Sequence, residues 1–514
     1  MPRGIATLAA GALLVAGAPA VVHAEPFSEC AAQSSTTVVV GQVACQTMAS
    51  KFLGGTTAFS YYVPPACAPS SRRSVCPTLY LLHGFGGGYT SMLGTAANPS
   101  AWVKALTSGP AEDPSASSQP WTMSDPAGWV SKPSIDFILV APHGETLDGG
   151  LGPVGGLDGF WTDWNPRFAA GGDSQRYDTP PPRFESFFTR ELLPFVEQRL
   201  PAGKGRAWRA IAGTSLGGFG SYKLGLQHPD LWSTMGSVSG AHNFLFAPAP
   251  DPLPGESPVA IAPPVPLPYQ HVPSVTSAIP INTLPEEARG FPVSFLVFGD
   301  PAGDQATYRG NMPRDLAMNG RAWAGDTPSL YIRGFVNDAT PRRPEDFGSS
   351  YPIQQAFEGI VLPMNIEMDL SLTLAGVAHE FEIHPGLHSG AYWNPFLRQQ
   401  LEAQYARVRH LGGGGTPTPL PNHFDYRSIA TDFSIWGWRF QLAREPVEFL
   451  TLRDVTCDGL TLRGTGVVTV TVPAACHTKQ KSVTLDLGPS FPIDEPGGAS
   501  DVPAYGRTVR VELS

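Results

Sequence analysis

Charge is scarce in this sequence. Only 15% of its 514 residues are Asp, Glu, Lys or Arg, and the formal net charge is -10. A basic face that could follow a phosphate backbone is therefore missing, and no nucleic-acid partner is expected. Long apolar runs are missing as well. The N-terminal run is short and rich in Ala and Gly, and no later segment reaches the ~20 apolar residues of a membrane-spanning helix. Cysteine is sparse, with six in the chain. No CxxC pair and no Cys/His cluster occurs, so no metal site is expected. Internal repeats are absent too. What the chain does have is Gly (56) and Pro (53), which announce long, well-punctuated loops, and a hydrophobic content of 42%, enough for a sizeable core.

Residues 1–24 carry the pattern of a secretory signal: Arg3, the apolar run from Ile5 to Val15, and the small-residue site Val22-His23-Ala24. Export implies an oxidising compartment, where the six cysteines would pair. Nearest-neighbour pairing gives Cys30–Cys45, Cys67–Cys76 and Cys457–Cys476. An α/β domain is expected over 25–410, interrupted by a Pro-rich insertion at 246–292. The Gly/Thr/Pro linker 411–421 follows. Short β-rich runs at regular spacing then make 422–514 a small antiparallel β-sandwich.

Within the first domain, buried strands are expected at Pro77–Leu82, Ile135–Pro142, Trp208–Ala212 and Met235–Gly240. Edge strands should precede them at Thr37–Val40 and Ala58–Val63, and further strands follow at Phe291–Phe298, Ser329–Arg333 and Glu380–His384. Apolar residues at helical spacing mark a crossover helix over Phe184–Leu200. Pro363–Gly376 and Leu397–Val408 read as later helices. The alternation of strand and helix implies an α/β domain with a mainly parallel central sheet.

The most informative stretch is Gly213-Thr214-Ser215-Leu216-Gly217-Gly218. It is a Gly-x-Ser-x-Gly turn between an apolar strand and a helix, the setting that exposes a serine hydroxyl at a strand's carboxyl end. Side chains at Gly213 and Gly217 would meet the neighbouring strand and helix. Upstream, a buried strand runs into His83-Gly84-Phe85-Gly86-Gly87-Gly88. A glycine-rich turn there can offer a backbone N–H, that of Phe85, to an oxyanion shared with the N–H of Leu216. A serine nucleophile also needs an imidazole base. Of twelve histidines, His388 lies in a loop after the final strand and before the closing helix, the place that reaches over the sheet. His384 ends the strand and precedes a proline. For the acid, Asp300, Asp304, Asp338 and Glu358 all stand at the ends of elements, and the residues alone leave the choice open. Trp161 and Trp164, in a loop after a strand, either line a cleft or cap the core.

From about Leu79 to Leu401 the chain resembles the esterase family of α/β-hydrolases that includes esterase D, the feruloyl esterases and the antigen 85 mycolyltransferases. The resemblance rests on Leu-Leu-His-Gly at 81–84, Phe-Trp-Thr-Asp-Trp at 160–164 and Phe-Glu-Ser-Phe-Phe-Thr-Arg-Glu-Leu at 184–192. Gly-Thr-Ser-Leu-Gly-Gly at 213–218 and His-Ser-Gly-Ala-Tyr-Trp at 388–393 complete it. It is closest in layout to the antigen 85 type. There the acid is a Glu seven residues before an Asn, a spacing that Glu358 and Asn365 reproduce, so the resemblance implies Glu358, with Asp338 in reserve. It also implies an α/β-hydrolase fold for the catalytic domain and Phe85 and Leu216 as oxyanion donors. This chain departs where the mycolyltransferases grip trehalose: their Asp and Arg are His83 and Gly86 here, and their Trp after His-Ser is Gly390.

The expectation is a secreted serine esterase acting on a lipid, phenolic ester or polyester. The catalytic group is Ser215, His388 and Glu358; the oxyanion hole is Phe85 and Leu216; the substrate face includes His83, Trp161 and Trp164. No cofactor is required. Acyl transfer to a sugar or glycerol hydroxyl is the first alternative, and an inactive surface-binding protein the second. The sandwich either contacts a cell wall or polymer or only packs on the catalytic domain.

Overall fold

A computed structural model describes residues 37–70, 75–116, 125–146, 158–165, 181–244, 305–322, 330–336, 351–412, 421–444, 448–488 and 507–513, with isolated positions at 27, 30–31, 123 and 297–298. The signal segment 1–24, the insertion 246–292 and most of the linker lie outside the described residues, as do Asp300, Asp304 and Asp338.

The centre is an eight-stranded sheet of order β1-β2-β6-β3-β7-β8-β9-β10. Its strands are β1 (Val43–Ser50), β2 (Gly55–Tyr62), β3 (Thr78–Leu82), β6 (Ile138–Pro142), β7 (Arg209–Thr214), β8 (Thr234–Val238), β9 (Leu330–Phe335) and β10 (Glu380–His384). The two-residue strands β4 (Ser108–Gly109) and β5 (Val130–Ser131) pair only with each other. The β1–β2 and β2–β6 pairings are antiparallel; from β6 to β10 every pairing is parallel. The first edge strand is Val43–Ser50, not the expected Thr37–Val40, and Val297 and Phe298 are helical.

Both faces of the central parallel strands are covered, so β3 and β6 are near-continuous apolar runs, whereas the edge strand β10 carries Glu380, Glu382 and His384. Tyr80, Leu82, Ile138, Val140 and Ile211 share one core with Phe188, Leu192 and Tyr222 of the covering helices. Leu79, Leu81, Leu139, Ala141 and Ala210 face another, against Leu397, Leu401 and Val408 of the closing helix, Gly390–Gly412. The crossover helix runs through Phe184–Phe187, a π-helical turn at Phe188–Leu192, and Leu193–Arg199. The helix that follows the Gly-x-Ser-x-Gly turn is Leu216–Gln227, and a long helix, Tyr351–Leu374, starts well before the expected Pro363 and carries that proline inside it.

Beyond the linker lie two four-stranded antiparallel sheets, β11-β14-β15-β18 and β12-β13-β16-β17, closing on their own core. Their strands are β11 (Phe424–Ser428), β12 (Asp432–Ile435), β13 (Trp438–Ala443), β14 (Leu450–Thr456), β15 (Gly459–Gly464), β16 (Val467–Thr471), β17 (Ser482–Asp486) and β18 (Arg507–Glu512). This sandwich docks at the far end of the helix Leu216–Gln227. Tyr426 Oη donates to Gln227 O at 2.7 Å, and the Arg206 guanidinium lies 5.2 Å from the Trp436 ring. Asn319 exchanges hydrogen bonds with the Arg427 backbone at 2.8 and 3.0 Å. The three disulfides are Cys30–Cys45, Cys67–Cys76 and Cys457–Cys476.

Candidate active site

At the carboxyl end of β7 the chain turns through Ser215, whose φ of 56° lies in a region that few non-glycine residues occupy. Its amide is held by Val238 O at 2.9 Å, and the helix Leu216–Gln227 begins directly after it. The flanking glycines are sterically required. A Cβ on Gly213 would lie 2.2 Å from Gly217 O, and one on Gly217 would lie 2.0 Å from Leu82 O. No side chain fits at either distance, so the helix can cross β3 this closely only without one.

His388 Nε2 lies 2.8 Å from Ser215 Oγ, and its Nδ1 lies 2.8 Å from Glu358 Oε2. The loop after β10 and the helix Tyr351–Leu374 thus bring the imidazole and a carboxylate to the serine from separate elements. Glu358 is fully buried. A carboxylate there needs partners, and its second oxygen has two: Ser239 Oγ and the Phe335 amide, each donating at 3.2 Å. The imidazole is flanked by the rings of Trp393, edge-on at 4.9 Å, and Phe357 at 5.6 Å. Asn365, seven residues on, bonds Gly240 O at 2.9 Å and ties the acid's helix to the segment after β8. The competitor His384 is elsewhere: it stacks on Phe396 at 3.8 Å and bonds Glu382 at 2.9 Å.

The turn after β3 lies against the serine; a Cβ on Gly84 would be 3.1 Å from Ser215 Cβ and 3.6 Å from its Oγ. His83 is buried beneath the turn. Its Nδ1 donates to Gly84 O at 2.8 Å and its Nε2 accepts from Gly144 N at 3.0 Å, which fixes one neutral tautomer. Burial pushes its pKa down to about 4, against a small opposing effect of the Gly84 hydrogen bond. The Gly84 carbonyl and the Phe85 N–H belong to one trans peptide and point oppositely, so holding the carbonyl turns the N–H outward. Leu216 N opens a helix N-terminus, whose free amides and dipole favour negative charge.

The expected substrate face needs correction. His83, Trp161 and Trp164 are only 1, 2 and 4% exposed. Trp161 packs edge-on against His83 at 4.9 Å, and Trp164 Nε1 bonds Gly159 O. Trp161 fills space beside His83 under the turn, and Trp164 packs in a core with Phe160, Phe184 and Leu216, so both are core residues rather than an open substrate face. Among the described residues, exposed apolar side chains at or just after the carboxyl ends of the parallel strands include Phe85, Val336 and Ile383. Sequence reading also missed Ser239 and Asp158. Ser239 follows β8, the strand beside the nucleophile strand, and a polar residue at that parallel strand end was its one signal. Asp158 Oδ2 accepts from Gly86 N at 2.9 Å.

His423, Asp425 and Asp454 in the sandwich bring ligand-type atoms within 4.8 Å of one another. Asp425 is already paired with Arg321 and Arg453, each at 2.9 Å, so its charge is neutralised without a cation.

A family model described as "Putative esterase" matches residues 151–266. The "Diacylglycerol acyltransferase/mycolyltransferase Ag85A" of Mycobacterium leprae (strain TN) is 32% identical over 270 residues, 49% of this chain and 65% of that protein. The chain therefore spans just under two thirds of that relative's length. Among solved structures, an S-formylglutathione hydrolase from Agrobacterium tumefaciens aligns with TM-score 0.41 and 15% identity over 72% of this chain and 98% of its own. A ferulic acid esterase from Anaeromyces mucronatus aligns with TM-score 0.34 and 16% identity over 72% and 98%. By the family match over residues 151–266 and the similarity to the curated relative, the chain resembles the esterase family of α/β-hydrolases, with a β domain added at its C-terminal side.

Proposed function

We propose that this chain is an exported serine esterase that hydrolyses carboxylic esters through an acyl-enzyme on Ser215. The unbroken hydrogen-bond path from Glu358 through His388 to Ser215 carries the reading. Ser215 Oγ attacks the ester carbonyl while His388 Nε2 takes its proton. Glu358, facing Nδ1–H, stabilises the imidazolium. The oxyanion falls between the N–H groups of Phe85 and Leu216, which are oriented before the charge develops. Collapse breaks the ester C–O bond, and the alcohol leaves with the proton from His388. Water then attacks the acyl carbonyl as His388 takes one of its protons. The second collapse returns the proton to Ser215 and releases the acid.

Export is supported by three disulfides in a chain that opens on a signal-like segment. Acyl transfer is the second reading, favoured by the similarity to the Mycobacterium leprae diacylglycerol acyltransferase/mycolyltransferase. The same acyl-enzyme would then pass its acyl group to a sugar or glycerol hydroxyl instead of water. Fluorophosphonate labelling of wild type and Ser215→Ala tests the nucleophile. No label on wild type, or a label that survives the substitution, would refute it. An ester panel assayed with and without added glycerol or sugar separates the two readings by whether free acid or a new ester accumulates.

A further inference from the structure

The turn Gly84–Gly87 is closed by Gly87 N donating to Gly84 O at 3.2 Å, and Gly86 has a φ of +67°. Phe85 is not among the residues with positive φ. A negative φ followed by a positive one is the pattern of a type II β-turn. In such a turn the central peptide, here Phe85–Gly86, has its N–H on the face opposite to that in a type I turn. The two forms interconvert by flipping that one peptide. Gly86 makes both accessible, because glycine tolerates either sign of φ, and no atom lies within 4 Å of a Cβ built there. The turn thus has freedom in the peptide that follows the Phe85 N–H.

The Gly86 N–H is taken by Asp158 Oδ2 at 2.9 Å. Asp158 is only 3% exposed and sits on a backbone anchored elsewhere: it pairs with Glu145 in an antiparallel bridge, and Gly159 N donates to Gly144 O at 2.8 Å. Glu145 and Gly144 follow β6, the strand beside β3. The carboxyl is therefore fixed to the sheet, not to the turn it holds. A flip would withdraw the N–H and turn the Phe85 carbonyl toward Asp158, oxygen against oxygen. We propose that Asp158 is a positioning residue for ester hydrolysis: by accepting the Gly86 N–H it locks the peptide on the C-terminal side of Phe85, so that Phe85, held on its other side through Gly84 O, keeps the backbone conformation in which its N–H is aimed at the oxyanion.

This rests on the esterase reading and deepens it. Burial, and then Glu145 nearby, raise the Asp158 carboxyl well above the usual range; either protonation state keeps an oxygen that can accept, so the lock does not depend on charge. Nothing here requires Asp158 to touch substrate, and the lock is separate from His83, which holds the other side of the same residue through Gly84 O.

The test uses the full chain. Wild type, Asp158→Ala, Asp158→Ser and Asp158→Asn are titrated with a fluorophosphonate, so that rates are expressed per labelled Ser215 and only folded enzyme is counted. Asp158→Ala is expected to lose about 10²-fold in kcat, with KM within about twofold, as for removal of an oxyanion donor. Affinity for a boronic-acid transition-state mimic should fall by a similar factor. Asp158→Ser, too short to reach Gly86, should behave the same way if the alanine variant folds poorly. Asp158→Asn keeps an acceptor oxygen and should recover kcat to within about fivefold of wild type. A merely structural role would lower the labelled fraction and leave kcat per labelled site unchanged, and that result overturns the lock. So does an asparagine variant as impaired as alanine. A wild type that takes no label overturns the esterase reading and the lock together; an active wild type whose alanine and serine variants keep their kcat overturns the lock alone.

Discussion

Glu358→Gln is the perturbation that tests the site most directly. The carboxylate is fully buried, and its two oxygens have different partners. Oε1 accepts from Ser239 Oγ and the Phe335 amide; Oε2 faces His388 Nδ1. A glutamine of the same shape has one acceptor oxygen. The backbone N–H of Phe335 cannot become an acceptor, so the amide oxygen is drawn to that side. The amide NH₂ then faces Nδ1. His388 must present a lone pair there and carry its proton on Nε2, the nitrogen that has to receive the Ser215 proton. The wrong tautomer costs about 10⁴ in kcat in the serine protease where the acid was changed to its amide. A loss of about 10³–10⁴-fold is expected here, or roughly 4–5.5 kcal/mol of activation free energy. The assay is kcat on a soluble chromogenic ester, with the melting temperature as a check on folding. Asp338→Asn, measured in parallel, should stay within about twofold of wild type. A loss under tenfold in Glu358→Gln, or an equal loss in Asp338→Asn, would refute the assignment of the acid.

Ser239→Ala removes one of the two donors to Glu358 Oε1; with the Phe335 amide still in place, kcat should fall about tenfold at unchanged KM, the scale of one hydrogen bond to a charged group. Burial pushes Glu145 up to about 7, so folding favours its neutral form; that stabilisation is complete below about 4.5 and is lost as pH rises through 7. Glu145→Gln should therefore gain melting temperature over wild type as pH rises from 5 to 8, and a gap that stays flat across that range would exclude the burial account. Gly217→Ala should destabilise the fold by about 3 kcal/mol or more, seen as a drop in denaturant midpoint, because its Cβ meets the Leu82 carbonyl. Trp436→Ala should lower the melting temperature and reduce activity on soluble and insoluble esters by the same factor; a selective loss on the insoluble ester would point to surface targeting by the sandwich.

The last of these expectations follows from where the sandwich sits. The nucleophile helix has twelve residues, Leu216–Gln227, and a helix of that length is about 18 Å long. Ser215 caps its start, while Tyr426 of the sandwich bonds Gln227 at its far end, Trp436 bonds Asp230 just beyond it, and Asn319 of the α/β domain bridges Leu226 O and the Arg427 backbone. The sandwich is thus held a helix length from the chemistry. Adsorption to a polysaccharide commonly uses exposed rings, since aromatic faces supply area at little entropic expense. Among the described residues, the large aromatics of the sandwich are buried or partly buried: Trp436 is 8% and Trp438 2% exposed, and Phe433 packs against the core. An aromatic platform is therefore missing from the described surface, while contacts to the catalytic domain are many. Of the two roles open in the sequence, packing has the direct structural support.

Most of the scaffold could be read in the chain because the central parallel strands, such as β3 and β6, are near-continuous apolar runs, and such runs stand out. β10 was read to the residue, and the serine and histidine followed from strand, turn and chain order. The third member did not, because Glu358 comes from within a helix. Its burial, its spacing to His388 and its two donors exist only once the helix Tyr351–Leu374 packs over β9, and nothing local distinguishes it from an exposed glutamate. Only resemblance singled it out. The same limit explains His83 and the two tryptophans: an aromatic beside a glycine turn looks alike whether it faces solvent or fills the space beneath. Asp158 shows the limit most plainly. It is 72 residues from Gly86, and its only role in the site is a hydrogen bond to a backbone N–H, a partner that carries no side-chain identity. Residues that act on the backbone leave no spacing motif, so the parts of this site that hold its amides in place become legible only in three dimensions.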